Sequence, residues 1–146
     1  MYIDMNLTKA LKEKKKLIKK IDENFNRFKE YNSVEEDIKP IYDATESYNN
    51  FTSLTNQLVD LKTRIQKANQ PIYSKIFEIA ELKNQIQKLR SVDTTNGIVK
   101  SRYDTSVVTY KAVFGKLEMD IMISNLEEKI ESLQSEIETF NAITII

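Results

Sequence analysis

The sequence predicts a mainly all-α protein: long antiparallel helices with coiled-coil packing, plus a small extended or β-hairpin segment near residues 98–114. Three observations predict it. Only two glycines and two prolines occur in 146 residues, so turns are few, which disfavours an all-β sandwich or a doubly wound α/β fold. Apolar residues recur in alternating steps of three and four along most of the chain, the period of one helical face. A single stretch, from Gly97 to Gly115, collects β-branched and aromatic residues instead, the types that fit a pleated surface.

The first helix is expected over about residues 6–31, where Leu7, Leu11, Leu17, Ile18, Ile21, Phe25 and Phe28 recur at helical spacing and Lys14 interrupts one seam position. The pattern breaks from Asn32 to Tyr42, and Pro40 biases Lys39 away from helical angles. A second helix is expected over about 44–70, carried by the heptad seam Phe51, Leu54, Leu58, Leu61, Ile65 and Ala68. Pro71 either kinks this helix or opens a new one. Ile72, Ile76, Ile79, Leu82, Ile86 and Leu89 then carry the period across about 72–91. The two helices read as one kinked rod in preference to a hairpin.

Asp93-Thr94-Thr95-Asn96-Gly97 is the clearest turn signal in the chain. Beyond it Val99, Tyr103, Val107, Val108, Thr109, Tyr110, Val113 and Phe114 suit short strands, which need something to pack against because an isolated hairpin is marginal. The last helix, about 117–142, has the cleanest seam: Met119, Ile123, Leu126, Ile130, Leu133, Ile137 and Phe140. This seam is the candidate packing or oligomer surface. The apolar Ile143-Thr144-Ile145-Ile146 that follows is expected to be covered by a neighbour. Residues 1–146 read as one elongated helical domain.

Composition bears on function mainly by exclusion. The chain has no cysteine and no histidine, which removes thiolate chemistry, the commonest general base and the commonest transition-metal ligand. No nucleotide-binding loop or nucleophile elbow is present, and Asn6-Leu7-Thr8 and Asn50-Phe51-Thr52 match the glycosylation pattern by chance. A non-enzyme without cofactor or metal is expected. Glu35-Glu36 and Glu127-Glu128 read as solvated surface, because neighbours on a helix do not face the same way. No apolar run approaches the roughly 18 residues a membrane span requires, and Met1 to Met5 lack a secretory layout. A cytoplasmic location, or one inside a virion for a phage-encoded chain, is the expectation.

The net charge is zero, with 22 basic and 22 acidic side chains, yet the signs are segregated. Lys12, Lys14, Lys15, Lys16, Lys19 and Lys20 crowd the first helix, while Glu118, Asp120, Glu127, Glu128, Glu131, Glu136 and Glu138 crowd the last. Opposite signs beside matching seams predict that these two helices pack side by side. The lysines are also the candidate contact for an anionic partner. Nucleic acid is disfavoured, because no arginine or aromatic residue is interleaved among them. Tyr103 and Tyr110 are candidate interface aromatics, with cross-strand packing as the alternative.

Three features taken in order resemble the septicolysin family of small bacterial helical proteins. They are the basic first helix, the segment Arg64-Ile65-Gln66-Lys67-Ala68-Asn69, and Ser101-Arg102-Tyr103-Asp104-Thr105-Ser106 leading into a coiled-coil tail. The resemblance spans nearly the whole chain. The chain departs from the family pattern at Gln66 and Ala68, in place of Asn and Thr, and at Ala142, in place of Trp. The resemblance implies a helical fold and brings no catalytic residues with it. The expectation for function is a structural or interaction protein, a homo-oligomer or part of a larger protein assembly such as a phage virion or tail. The alternative is a module that binds nucleic acid or anionic membrane through the lysine helix.

Overall fold

A computed structural model describes residues 4–146. In chain order it contains α1 (Leu7–Tyr31), α2 (Ala44–Asn69), a 3₁₀ turn (Gln70–Ile72), α3 (Tyr73–Arg90), β1 (Gly97–Lys100), β2 (Val107–Tyr110) and α4 (Lys116–Ile143). The protein is mainly all-α with one small antiparallel hairpin, as its periodicity predicts. Helix ends fall within a residue of the periodic spans, inside the usual uncertainty of helix boundaries.

The chain divides into two compact units where the sequence reads as one domain. One is the chain through Pro71 together with Glu138–Ile146, and the other is Ile72–Ile137. Periodicity marks which face of a helix is covered and is blind to where one apolar cluster stops and the next begins.

In the first unit α1 and α2 run antiparallel. Leu7, Ala10 and Leu17 of α1 meet Leu61 and Ile65 of α2, with Leu11, Leu54, Leu58 and Ala68 packed around them. Leu7 and Leu61 are fully buried, and removing such a side chain from water is worth about 1.5–3 kcal/mol. Toward the other end of the pair, aromatic rings fix the register. Phe25 lies 5.5 Å from Phe51, Phe28 lies 5.4 Å from Tyr48, and Tyr31 lies 5.6 Å from Tyr42. The Arg27 guanidinium sits 4.4 Å above the Tyr42 ring, a favourable stacked cation. Asp43 starts α2 by accepting the Thr45 and Glu46 amides at 2.8 and 3.3 Å, satisfying donors that a helix start leaves open.

The residues after α4 tie themselves to the start of α1. Asn6 caps α1 by accepting the Lys9 amide at 2.8 Å, while its own side-chain amide donates to the Ala142 carbonyl at 3.3 Å. Leu7 N–H donates to the Thr144 carbonyl, Ile146 N–H donates to the Met5 carbonyl, and Asn6 and Ile145 form an antiparallel bridge. Phe140 and Ile146 pack onto the α1–α2 core. The apolar tail is therefore only partly covered, since Ile143 and Ile145 remain exposed.

In the second unit α3 and α4 run antiparallel around Leu82, Ile86, Ile130 and Leu133, flanked by Ile79, Ile123 and Leu126. Three ion pairs cross between them: Lys75–Glu136 at 3.1 Å, Arg90–Glu127 at 3.2 Å and Lys129–Glu78 at 2.8 Å. This corrects the expected side-by-side pairing of the first and last helices. Along its length α1 takes α2 as partner, and the end of α4 and the tail meet the start of α1. Charge segregation misled because exposed ion pairs contribute only about 0–1 kcal/mol, too little to outweigh the matching of apolar seams.

Pro71 lies in the 3₁₀ turn that joins α2 to α3, where a proline tolerates the tight start of a helix. After α3, the Asp93 side chain accepts from the amide and hydroxyl of Thr95. Gly97 then takes a φ of +98°, a value that side chains other than glycine's adopt only under strain. The Asn-Gly signal thus marks the approach to β1, and the hairpin's own turn is Ser101–Ser106.

Candidate functional site

The hairpin is built from four cross-strand pairs: Gly97 with Tyr110, Ile98 with Thr109, Val99 with Val108, and Lys100 with Val107. Alternation along a strand places Val99, Val108 and Tyr110 on one face and Ile98, Lys100, Val107 and Thr109 on the other. The turn is organised by Asp104, which accepts both the amide and the hydroxyl of Ser106. These bonds hold the Asp104 carboxyl below the ordinary carboxylate range, and the equivalent bonds from Thr95 do the same for Asp93. At the base, the Asn96 side chain accepts the Ala112 amide at 3.3 Å.

Every residue from Ile98 to Lys111 is exposed. Apolar side chains account for much of that surface: Ile98, Val99, Val107, Val108, Tyr110 and, beyond β2, Val113 and Phe114. The sheet has two strands, so each strand has one edge without a neighbour among the described residues. Tyr103 and Tyr110 do not form a cross-strand pair. Tyr103 stands in the turn, 97% exposed, and Tyr110 faces Gly97. The alternative in which both tyrosines pack inside the fold is thereby excluded for Tyr103.

The α4 seam is occupied within the chain. Met119, Ile130 and Leu133 are buried, and Ile123, Leu126, Ile137 and Phe140 are half-buried. What α4 leaves open lies off that seam, at Leu117, Ile121 and Ile143.

The lysines lie along α1, with Lys12, Lys15, Lys16, Lys19 and Lys20 exposed and Lys14 half-buried. Among the described residues, the ion pair in this group is Lys19 to Glu23, at 4.0 Å on the same helix. Lys12 and Lys15 line a groove with Thr8, Leu11, Glu138 and Asn141, in which Glu138 is the one acid. Of the acidic side chains expected to balance these lysines, Glu127 and Glu136 are instead engaged with α3.

Sequence reasoning missed the surface at the α1–α2 loop. Val34, Ile38 and Ile41 are exposed there, and a groove is lined by Tyr31, Lys39, Pro40, Ile41, Tyr42 and Asp43. The available signal was the aromatic spacing Phe28, Tyr31 against Tyr42, Tyr48, which matches two antiparallel helix ends. Among the described residues, no group of three or more acidic, histidine or cysteine side chains is placed to hold a metal ion, and no helix is long and apolar enough to cross a membrane.

No family model matches the chain, and no curated protein matches it. Its fold is similar to the crystal structure of a functionally unknown conserved protein from Corynebacterium diphtheriae. That likeness has a TM-score of 0.60 at 18% sequence identity and covers 99% of each chain. At this identity the likeness concerns the fold alone.

Proposed function

We propose that this is a non-catalytic structural or interaction protein that assembles with copies of itself. One observation carries the reading: a hairpin with apolar side chains on both faces and two edges open among the described residues, in a chain whose α4 seam is already occupied by α3. An isolated hairpin is marginal in water, and open, apolar strand edges invite pairing with another chain. The α4 seam closes on α3, so the surface for self-assembly moves from that seam to the hairpin and the neighbouring Leu117 and Ile121. The septicolysin resemblance belongs to the same proposal, as its Ser101–Ser106 segment is the hairpin turn. A bacteriophage virion or tail is the setting that suits a small, charged, cysteine-free helical chain. The test is absolute mass by light scattering after size exclusion, across a wide range of concentration. A rise in mass with concentration supports the reading, and a monomer throughout defeats it.

A second reading, binding of a polyanion or anionic membrane by α1, is favoured by how few acidic side chains lie beside its lysines among the described residues. Salt-dependent retention on heparin tests it.

A further inference from the structure

We propose that β2 pairs antiparallel with β2 of a second copy about a two-fold axis at Val108, giving a four-stranded sheet in the order β1-β2-β2-β1. This inference rests on the self-assembly reading and names its surface and register.

The choice of edge follows from charge. Strand β2 reads Val-Val-Thr-Tyr with no charge, and it is bracketed by Asp104 on one side and Lys111 on the other. Antiparallel pairing of two such edges brings the acidic end of one toward the basic end of its mate at both ends of the strand. Strand β1 carries Lys100, and Arg102 follows it. Pairing through β1 would instead place a lysine of each copy within the new ladder, and charged edge residues are the device by which natural sheets resist pairing.

The register follows from the ladder. Ser101 N–H donates to the Ser106 carbonyl, and hydrogen-bonded and non-hydrogen-bonded pairs alternate along antiparallel strands. The inward-bonded pairs are thus Ser101–Ser106, Val99–Val108 and Gly97–Tyr110. The N–H and C=O groups of Val107 and Thr109 point outward. Two β2 edges satisfy all of these groups when Val107 of each copy faces Thr109 of the other. Val108 then meets its own counterpart on the dyad, as an isologous contact requires. On one face this aligns Val99, Val108, Val108 and Val99 into a continuous row across four strands, flanked by Tyr110. The interface is small, at the low end of specific contacts, so association is expected at roughly 0.1–1 mM chain.

The test uses the absence of native cysteine. Val108→Cys places two thiols at a non-hydrogen-bonded antiparallel pair, where Cα atoms lie about 4.5 Å apart, within disulfide reach. Lys100→Cys places them three strand spacings apart and two residues out of step, roughly 16 Å, beyond that reach. Both positions are exposed, so folding is expected to survive and is checked by circular dichroism. Under mild oxidation, V108C is expected to form a covalent dimer at least about tenfold faster than K100C. Thr109→Pro removes an outward amide and is expected to weaken wild-type association, whereas Ile98→Pro removes the equivalent amide of β1 and leaves it intact. Equal crosslinking of both cysteine variants, or equal effects of both prolines, would overturn the register. An assembling wild type whose V108C variant does not crosslink refutes this edge and spares self-assembly. A monomeric wild type with no crosslinking removes both.

Discussion

The amide of Leu7 donates to the carbonyl of Thr144 at 2.8 Å, so the first turn of α1 is capped by residues that follow α4. Asn6 completes the arrangement from both directions, accepting from Lys9 and donating to Ala142. Replacing Asn6 with Ala is expected to lower stability by about 1–2 kcal/mol, and Asn6→Asp, which keeps the acceptor, by less. Urea denaturation reads this as a lower midpoint at unchanged slope. A midpoint unmoved by N6A would show that the cap contributes nothing.

The two cores predict a sharp contrast between neighbouring positions. Leu61 is fully buried while Val59, two residues away, is 60% exposed. Leu61→Ala is expected to cost about 3–5 kcal/mol through reduced burial and a residual cavity, and Val59→Ala at most about 0.5 kcal/mol. Comparable destabilisation at both sites would contradict the placement of the α1–α2 seam.

Across α3 and α4 the apolar packing is expected to dominate the charges. Arg90 and Glu127 are both more than half exposed. A double-mutant cycle on that pair is therefore expected to return a coupling below about 1 kcal/mol. Ile130→Ala is expected to cost about 2–5 kcal/mol. A coupling larger than the cost of Ile130→Ala would mean that charge, and not the seam, selects this pairing.

Acidification is expected to loosen the hairpin and the turn before it. Hydrogen bonds from Ser106 hold Asp104 below its ordinary value, and bonds from Thr95 do the same for Asp93. A depressed folded-state value contributes stability above the unfolded value, and that stability is lost as pH falls through the folded one. Carboxyl-carbon NMR titration is expected to place both midpoints below the ordinary aspartate value. Midpoints at the ordinary value would show that the turn bonds do not form in solution.

For the lysine face of α1, reversing Lys12, Lys15, Lys16 and Lys19 to Glu is expected to abolish any salt-dependent retention on heparin. Each lysine that no longer neutralises an anionic group makes the dependence of log affinity on log salt shallower by roughly 0.9. Wild-type protein that passes through unretained at low salt ends the polyanion reading.

Most of the helical framework was legible because heptad steps state directly which face is covered. Leu54, Leu58, Leu61, Ile65 and Ala68 all lie against α1 as their spacing implies. What the spacing leaves out is the partner. The α4 seam is equally compatible with α1, α3 or a second copy, and only tertiary geometry places Ile130 and Leu133 on Leu82 and Ile86. Ala10 escaped notice for a related reason: a small side chain gives little hydrophobic signal, although it is fully buried between α1 and its partners. The hairpin was visible as a change of residue type. Its own turn was not located, because Asn96-Gly97 is the stronger local signal, while Asp104 works through side-chain bonds that sequence shows only weakly.

The clasp between Asn6 and Ala142 joins positions 136 apart, and this separation acts during synthesis. At about 5–20 residues per second, roughly 7–27 seconds pass between the two residues leaving the ribosome. Throughout that interval the Leu7 amide and the apolar side chains at the start of α1 lack their final cover. Residues 72–137, by contrast, hold both helices of their own core and can begin to pack as soon as they emerge. The α1–α2 pair and residues 72–137 are therefore each expected to pack as they emerge, with residues 138–146 closing the clasp last.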